Sequence, residues 1–184
     1  YSSGYYVLNP LAATRNGVNT YNDKLDINIS QEHIQKMIAF NKNYLDTLAS
    51  IDTANLSYSE LLSIDILRFK LQMENEAFTN GYGINRPVDQ FVFSFPQNFA
   101  TLGSGAGFIP FKTEADYRNF ISRMKAFPAW IEQSIENMQA GLESHNTNPK
   151  ASMLKVPSQL KPLFETGSDK NIFYKPLANL PSNM

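Results

Sequence analysis

Apolar side chains recur at intervals of three and four residues along most of this chain, and no run sustains the alternation that a sheet requires. That periodicity restricts the fold more than any other feature, because helical stripes of this kind are buried by packing helix on helix. Ile34, Met37, Ile38, Leu45 and Leu48 share one face of a helix that Ser30 caps and that ends near Ser50. The next helix has the clearest start signal. Ser57 and Glu60 form an S-x-x-E capping box ahead of Leu61, Leu62, Ile64, Ile66, Leu67, Phe69, Leu71 and Met73. So many apolar positions wrap more than one face, which predicts a helix central to a bundle. Gly81 and Gly83 end it.

Proline and glycine punctuate the rest. Pro10 splits or bends the segment from Tyr1 to Asn16, and Gly17 stops it. The Asn- and Asp-rich run from Val18 to Ile29 reads as loop. Between residues 82 and 111 the periodicity weakens, with short helices expected around 88–93 and 97–102. Pro87, Pro96, Pro110 and the cluster Gly103-Ser104-Gly105-Ala106-Gly107 make this a long, irregular connection. Thr113 then caps a helix carrying Tyr117, Phe120, Ile121 and Met124. Pro128 breaks or kinks it, and a further helix uses Ile131, Ile135, Met138 and Leu142. Pro157 and Pro162 bend or break the run from Met153 to Phe164, and the tail from Phe173 contains Pro176 and Pro181. The fold class is all-α, an irregular multi-helix bundle with a long Gly/Pro-containing connection.

Composition removes several kinds of chemistry. Sixteen Lys+Arg against 17 Asp+Glu leave a net charge of -1, without the basic excess of a nucleic-acid binder. With no cysteine there are no disulfides, thiolate metal sites or cysteine nucleophiles. His33 and His145 are the only histidines, and neither sits in His-Glu-x-x-His or Glu-x-x-His spacing, so no metal site is expected within these residues. No G-x-S-x-G is present. Glu132 and Glu136, four apart, read as a solvent-facing pair. No apolar run reaches the length of a membrane span. The sequons at Asn28 and Asn55 coincide with N-cap serines, and capping accounts for them better than glycosylation.

The glycine cluster does not match G-x-G-x-x-G, and it reads first as flexible loop. Its functional version is a backbone segment lying close to an extended ligand, which makes Gly103, Ser104, Gly105, Gly107 and Phe108 the candidate site. The aromatics nearby include Phe91, Phe93 and Phe95, which alternate, and Phe99, Phe108 and Phe111. They read as core or as a surface buried by a further domain.

Five stretches together carry a family resemblance. They are Asn9-Pro10-Leu11-Ala12-Ala13-Thr14-Arg15-Asn16-Gly17, Leu61-Leu62-Ser63-Ile64-Asp65-Ile66-Leu67, Pro110-Phe111-Lys112-Thr113-Glu114-Ala115-Asp116-Tyr117, the run from Ile131 to Gly141, and Phe173-Tyr174-Lys175-Pro176-Leu177. In this order the chain resembles the N-terminal part of the bacterial family catalogued as domain of unknown function 885. The resemblance implies a largely helical zinc metallopeptidase of the His-Glu-x-x-His type, with zinc and catalytic glutamate in a C-terminal half that these 184 residues do not include. It implies no catalytic residue here. The chain would be a single helical N-terminal region, residues 1–184, forming part of a peptide substrate cleft, and its first partner would be the missing half. Export to the periplasm or cell envelope is implied too, with any leader or lipid anchor removed upstream of Tyr1. On the truncation reading, apolar surface should be exposed from Phe91 to Phe111 and in the tail. The alternative is a non-catalytic helical binding or interaction module of the cell envelope.

Overall fold

The computed structural model describes residues 1–81, 83–90, 94–165, 167 and 170–180. Among the described residues the chain is helical, with no strand. Pro10 occupies the first turn of a helix, where its missing N–H costs nothing, so the first segment divides into α1 (Ser2–Leu8) and α2 (Pro10–Arg15). Gly17 takes φ +77° just beyond α2. The run expected as loop holds one turn of 3-10 helix at Asn19–Tyr21.

α3 (Gln31–Ala49) starts where Ser30 Oγ accepts the His33 N–H at 3.1 Å. α4 (Tyr58–Thr79) starts on the anticipated box: Ser57 Oγ accepts the Glu60 N–H at 3.4 Å, and Glu60 Oε2 accepts the Ser57 N–H at 2.8 Å. These two helices pack side by side, burying Ile34, Met37, Leu48 and Leu71. The expectation that α4 is central is corrected: it packs mainly on α3, with Lys70 reaching Tyr1 and Tyr5 at the start of the chain. Its second apolar face is bare, with Tyr58 81% and Phe69 65% exposed beside Leu62, Ile66 and Met73.

α5 (Phe95–Gly103) lies against α6 (Glu114–Glu143), a single 30-residue helix that runs through Pro128. Of the break or kink expected at Pro128, the break does not occur. Proline removes the hydrogen bond to the Met124 carbonyl, but both residues lie on the exposed face, where water can satisfy that carbonyl. On the buried side Phe127 and Trp130 hold the helix on either flank. Phe99 stacks on Phe127 (centroids 4.4 Å apart, planes 8°) and on Phe120 (5.4 Å), while Phe95 meets Trp130 at 4.5 Å. α6 also opens on a capping box, Thr113 with Asp116. Thr113→Ala is expected to cost about 1 kcal/mol, read as a fall in thermal midpoint. A midpoint within error of the parent would contradict that role for the cap.

Pro157 and Pro162 divide the following run into α7 (Lys150–Met153), α8 (Val156–Leu160) and α9 (Pro162–Glu165). The tail forms 3-10 helix at Ile172–Asn179, packed on α5. Apolar exposure follows the truncation reading in only one of its two places. Phe91 and Phe93 lie outside the described residues. Phe95, Phe99, Phe108 and Phe111 join one core with Leu102, Ile109 and Phe120. That closed core lends no support to a missing partner there. In the tail, Tyr174, Leu177 and Leu180 are exposed as expected. No helix among the described residues is long and apolar enough to cross a membrane.

Candidate functional site

The glycine cluster follows α5 directly, and each glycine has a local reason. At Gly103 an added Cβ would lie under 3 Å from the Phe173 and Phe120 rings, so the missing side chain makes room for the tail to meet α6. Gly103→Ala is therefore expected to cost about 1–3 kcal/mol through overpacking, read as a lower urea midpoint. An unchanged midpoint would mean that the rings yield freely. Gly105 has φ +79°, which reverses the chain at little strain only for glycine. At Gly107 a Cβ would run into the Leu102 side chain.

Beyond the turn lies an open cleft of about 490 Å³. It is lined by Ser104, Gly105, Phe111, Lys112, Tyr117, Lys175 and Pro176, with Gly105 close against Pro176. Tyr117 fixes the tail there by donating its hydroxyl hydrogen to the Pro176 carbonyl at 3.0 Å. Among the described residues no carboxylate lies within ion-pair distance of Lys112 or Lys175. Of the anticipated site residues the structure therefore brings Ser104 and Gly105 to the cleft. Gly103, Gly107 and Phe108 serve the packing around it.

Phe108 has a different neighbour. The Arg15 guanidinium sits over its ring, 4.9 Å from the centroid, which ties the glycine loop to α2. Beneath α2 is a smaller polar cavity of about 180 Å³, lined by Asn9, Leu11, Ala12, Arg15, Asp26, Asn28 and Phe95. Burial pushes the Asp26 carboxyl up to about 6, against the pull of its own backbone N–H and of the nearby Arg123. Among the described residues no cation comes within ion-pair distance of Asp26.

Arg123 organises this region from α6. It is 0% exposed and donates to the Lys24 carbonyl (2.9 Å), the Tyr21 carbonyl (3.1 Å) and Thr14 Oγ1 (2.7 Å). Thr14 in turn donates its hydroxyl hydrogen to Asn22 Oδ1 at 2.7 Å. The guanidinium thus fastens α2 and the loop after it to α6. Burial lowers its pKa to about 10, partly offset by Asp23 and Asp26, and it stays charged at neutral pH.

Asp26 and Asn28 escaped the sequence reading because they sit in a polar run taken as loop. A signal was present: they alternate with Leu25, Ile27 and Ile29, which pack into the cores and so hold this segment in place. The remaining candidates behave as expected. Glu132 and Glu136 are exposed, and Glu136 accepts a hydrogen bond from Gln133. His33 is half-buried at the start of α3, with burial lowering its pKa, and His145 is exposed beyond α6. A further depression of about 460 Å³, walled by Phe127, Ile131, Met138, Val156, Leu160 and Phe164, is apolar and offers little that could orient a ligand.

Compared with known proteins, residues 10–184 match the family model described as bacterial protein of unknown function (DUF885). No curated protein and no solved structure matches the chain.

Proposed function

Because the chain belongs to the DUF885 family, we propose that it is the helical, peptide-binding part of an exported zinc-dependent peptidase-like hydrolase. The observation that supports this most directly is the cleft between the glycine turn and the tail. Its lining combines turn backbone, aromatic rings and two lysines with no carboxylate within ion-pair distance among the described residues. Such a surface suits an extended peptide bearing acidic groups. The zinc of that reading does not fit these residues: among the described residues no three of His, Cys, Asp and Glu come together as a metal site would require. Metal and catalytic glutamate would belong to a further part of the polypeptide, and no catalytic step is assigned to this chain. The reading places the whole protein in the periplasm or cell envelope.

The test is a titration of the purified chain with a fluorescein-labelled acidic peptide, with and without zinc. Binding is expected, weakened severalfold by Lys112→Ala and Lys175→Ala together, and no hydrolysis. Hydrolysis by this chain alone would overturn the assignment of chemistry elsewhere, and absence of binding would remove the cleft. Translation of the gene beyond Met184 should show His-Glu-x-x-His. A second reading, a non-catalytic interaction module of the cell envelope, draws on the bare apolar face of α4, and a downstream sequence without that motif would favour it.

A further inference from the structure

We infer that the cavity beneath α2 is a binding pocket for a primary ammonium group and, where the peptide-binding reading above holds, for the free N-terminal residue of a peptide. The hydrogen-bonding capacity left over in the cavity points there. Asn9 spends its Nδ2 donors on the Tyr5 carbonyl (3.0 Å) and Met37 Sδ (3.4 Å), which leaves its Oδ1 to accept. Asn28 is fixed in the opposite sense: its Oδ1 accepts from Trp130 Nε1 at 2.9 Å, leaving Nδ2 to donate. Asp26 adds a carboxylate beside the apolar wall residues Leu11, Ala12 and Phe95. The cavity thus offers two acceptors, one of them charged, beside an amide donor and the Arg15 guanidinium at its edge.

That set is the inverse of an α-ammonium followed by a carbonyl. The ammonium would lie between Asp26 and Asn9, and the carbonyl would accept from Asn28 or Arg15. Leu11, Ala12 and Phe95 would take a small side chain. A volume of about 180 Å³ admits one small residue, and the rest of a peptide would leave along Arg15 toward Phe108 and the cleft. Other ligands fit less well. An anion would meet the Asp26 carboxylate, and a metal ion would find one carboxylate and two amides with no histidine. A neutral apolar group would strand the polar walls without partners.

The reporter is built in. Trp130 is the only tryptophan, and its indole N–H is bonded to the Asn28 side chain. Titration of the whole chain with L-alaninamide at millimolar concentration should shift the Trp130 indole and Asn28 side-chain amide resonances saturably. N-acetyl-L-alaninamide, which lacks the charge, should bind at least tenfold more weakly. Asp26→Asn should abolish the alaninamide shift in a protein that remains folded by its amide spectrum. Equal binding of the acetylated compound, binding retained in Asp26→Asn, or no shift at all would each overturn the inference.

Failure here and failure of the peptide cleft are separable. An acetylated acidic peptide that still binds in a Lys112- and Lys175-dependent way would keep the cleft and remove the ammonium pocket. Alaninamide binding without any peptide binding at the cleft would do the reverse.

Discussion

Replacing Arg123 with methionine should destabilise the protein by roughly 3–5 kcal/mol, the range for breaking a buried charged network by removing one partner. Methionine fills similar space, so the loss would come from the polar groups left behind. The carbonyls of Lys24 and Tyr21 and the hydroxyl of Thr14 would all lose their donor. The Asp26 carboxylate would lose the cation that draws its pKa down. Urea denaturation at neutral pH measures this, with the slope unchanged if only stability moves. Arg123→Lys should recover part of the loss, because one ammonium cannot span bonds that a planar guanidinium reaches together. A midpoint shift equivalent to less than about 1 kcal/mol for the methionine variant would remove Arg123 as the fastening of α2 to α6.

How much of this was readable in the sequence depended on how local the cause was. Ser30, Ser57 and Thr113 announce their helices because a cap satisfies donors within three residues, and all three do so. The family resemblance covered most of the chain, and residues 10–184 match that family. Pro128 misled because a proline rule describes a helix in isolation. Whether α6 continues is decided by Phe99 and Phe95, which lie on another helix and grip Phe127 and Trp130. The same limit hid the second site. Gly103 to Phe108 are visible as a turn, but Ser104 and Gly105 border a cleft only because Tyr117 ties the tail beside them. Nothing local marks Arg123, whose partners lie about a hundred residues away. The Asn9 to Gly17 stretch, prominent in the resemblance, turns out to supply Thr14, one of the acceptors of Arg123, and four residues of the polar cavity. That suggests why so short a segment carries a recognisable pattern.

Asp26→Asn should stabilise the protein at pH 8, in contrast to the Arg123 variant, by an amount that vanishes in acid. The direction follows from burial. The folded chain holds Asp26 with a pKa of about 6, against 3.8 for the free group, so it is the folded state that binds the proton more tightly. Below about pH 4 the side chain is protonated whether the chain is folded or not, and its burial carries no ionisation penalty. As pH rises through 4 to 6 the unfolded chain ionises freely while the folded chain resists, and stability is lost until about pH 7. A difference of roughly two pKa units corresponds to about 3 kcal/mol as an upper value, since part of the carboxylate still reaches solvent. Asparagine keeps the shape and removes the charge, so the gap between variant and parent should open over that window and stay level above it. Urea midpoints collected from pH 3.5 to pH 8 would trace it. A gap independent of pH would mean that Asp26 is well solvated, and destabilisation at pH 8 would mean that Arg123 outweighs burial. The two substitutions should also be coupled, because each changes the charge the other faces. Without Arg123 the carboxylate is buried with less to offset it, so Asp26→Asn should recover more stability in the Arg123→Met background than in the parent. Keeping a carboxylate at such a cost requires a compensating use. A protein that gains stability when Asp26 is neutralised, and at the same time loses its response to alaninamide, would show that the charge is held there for a ligand.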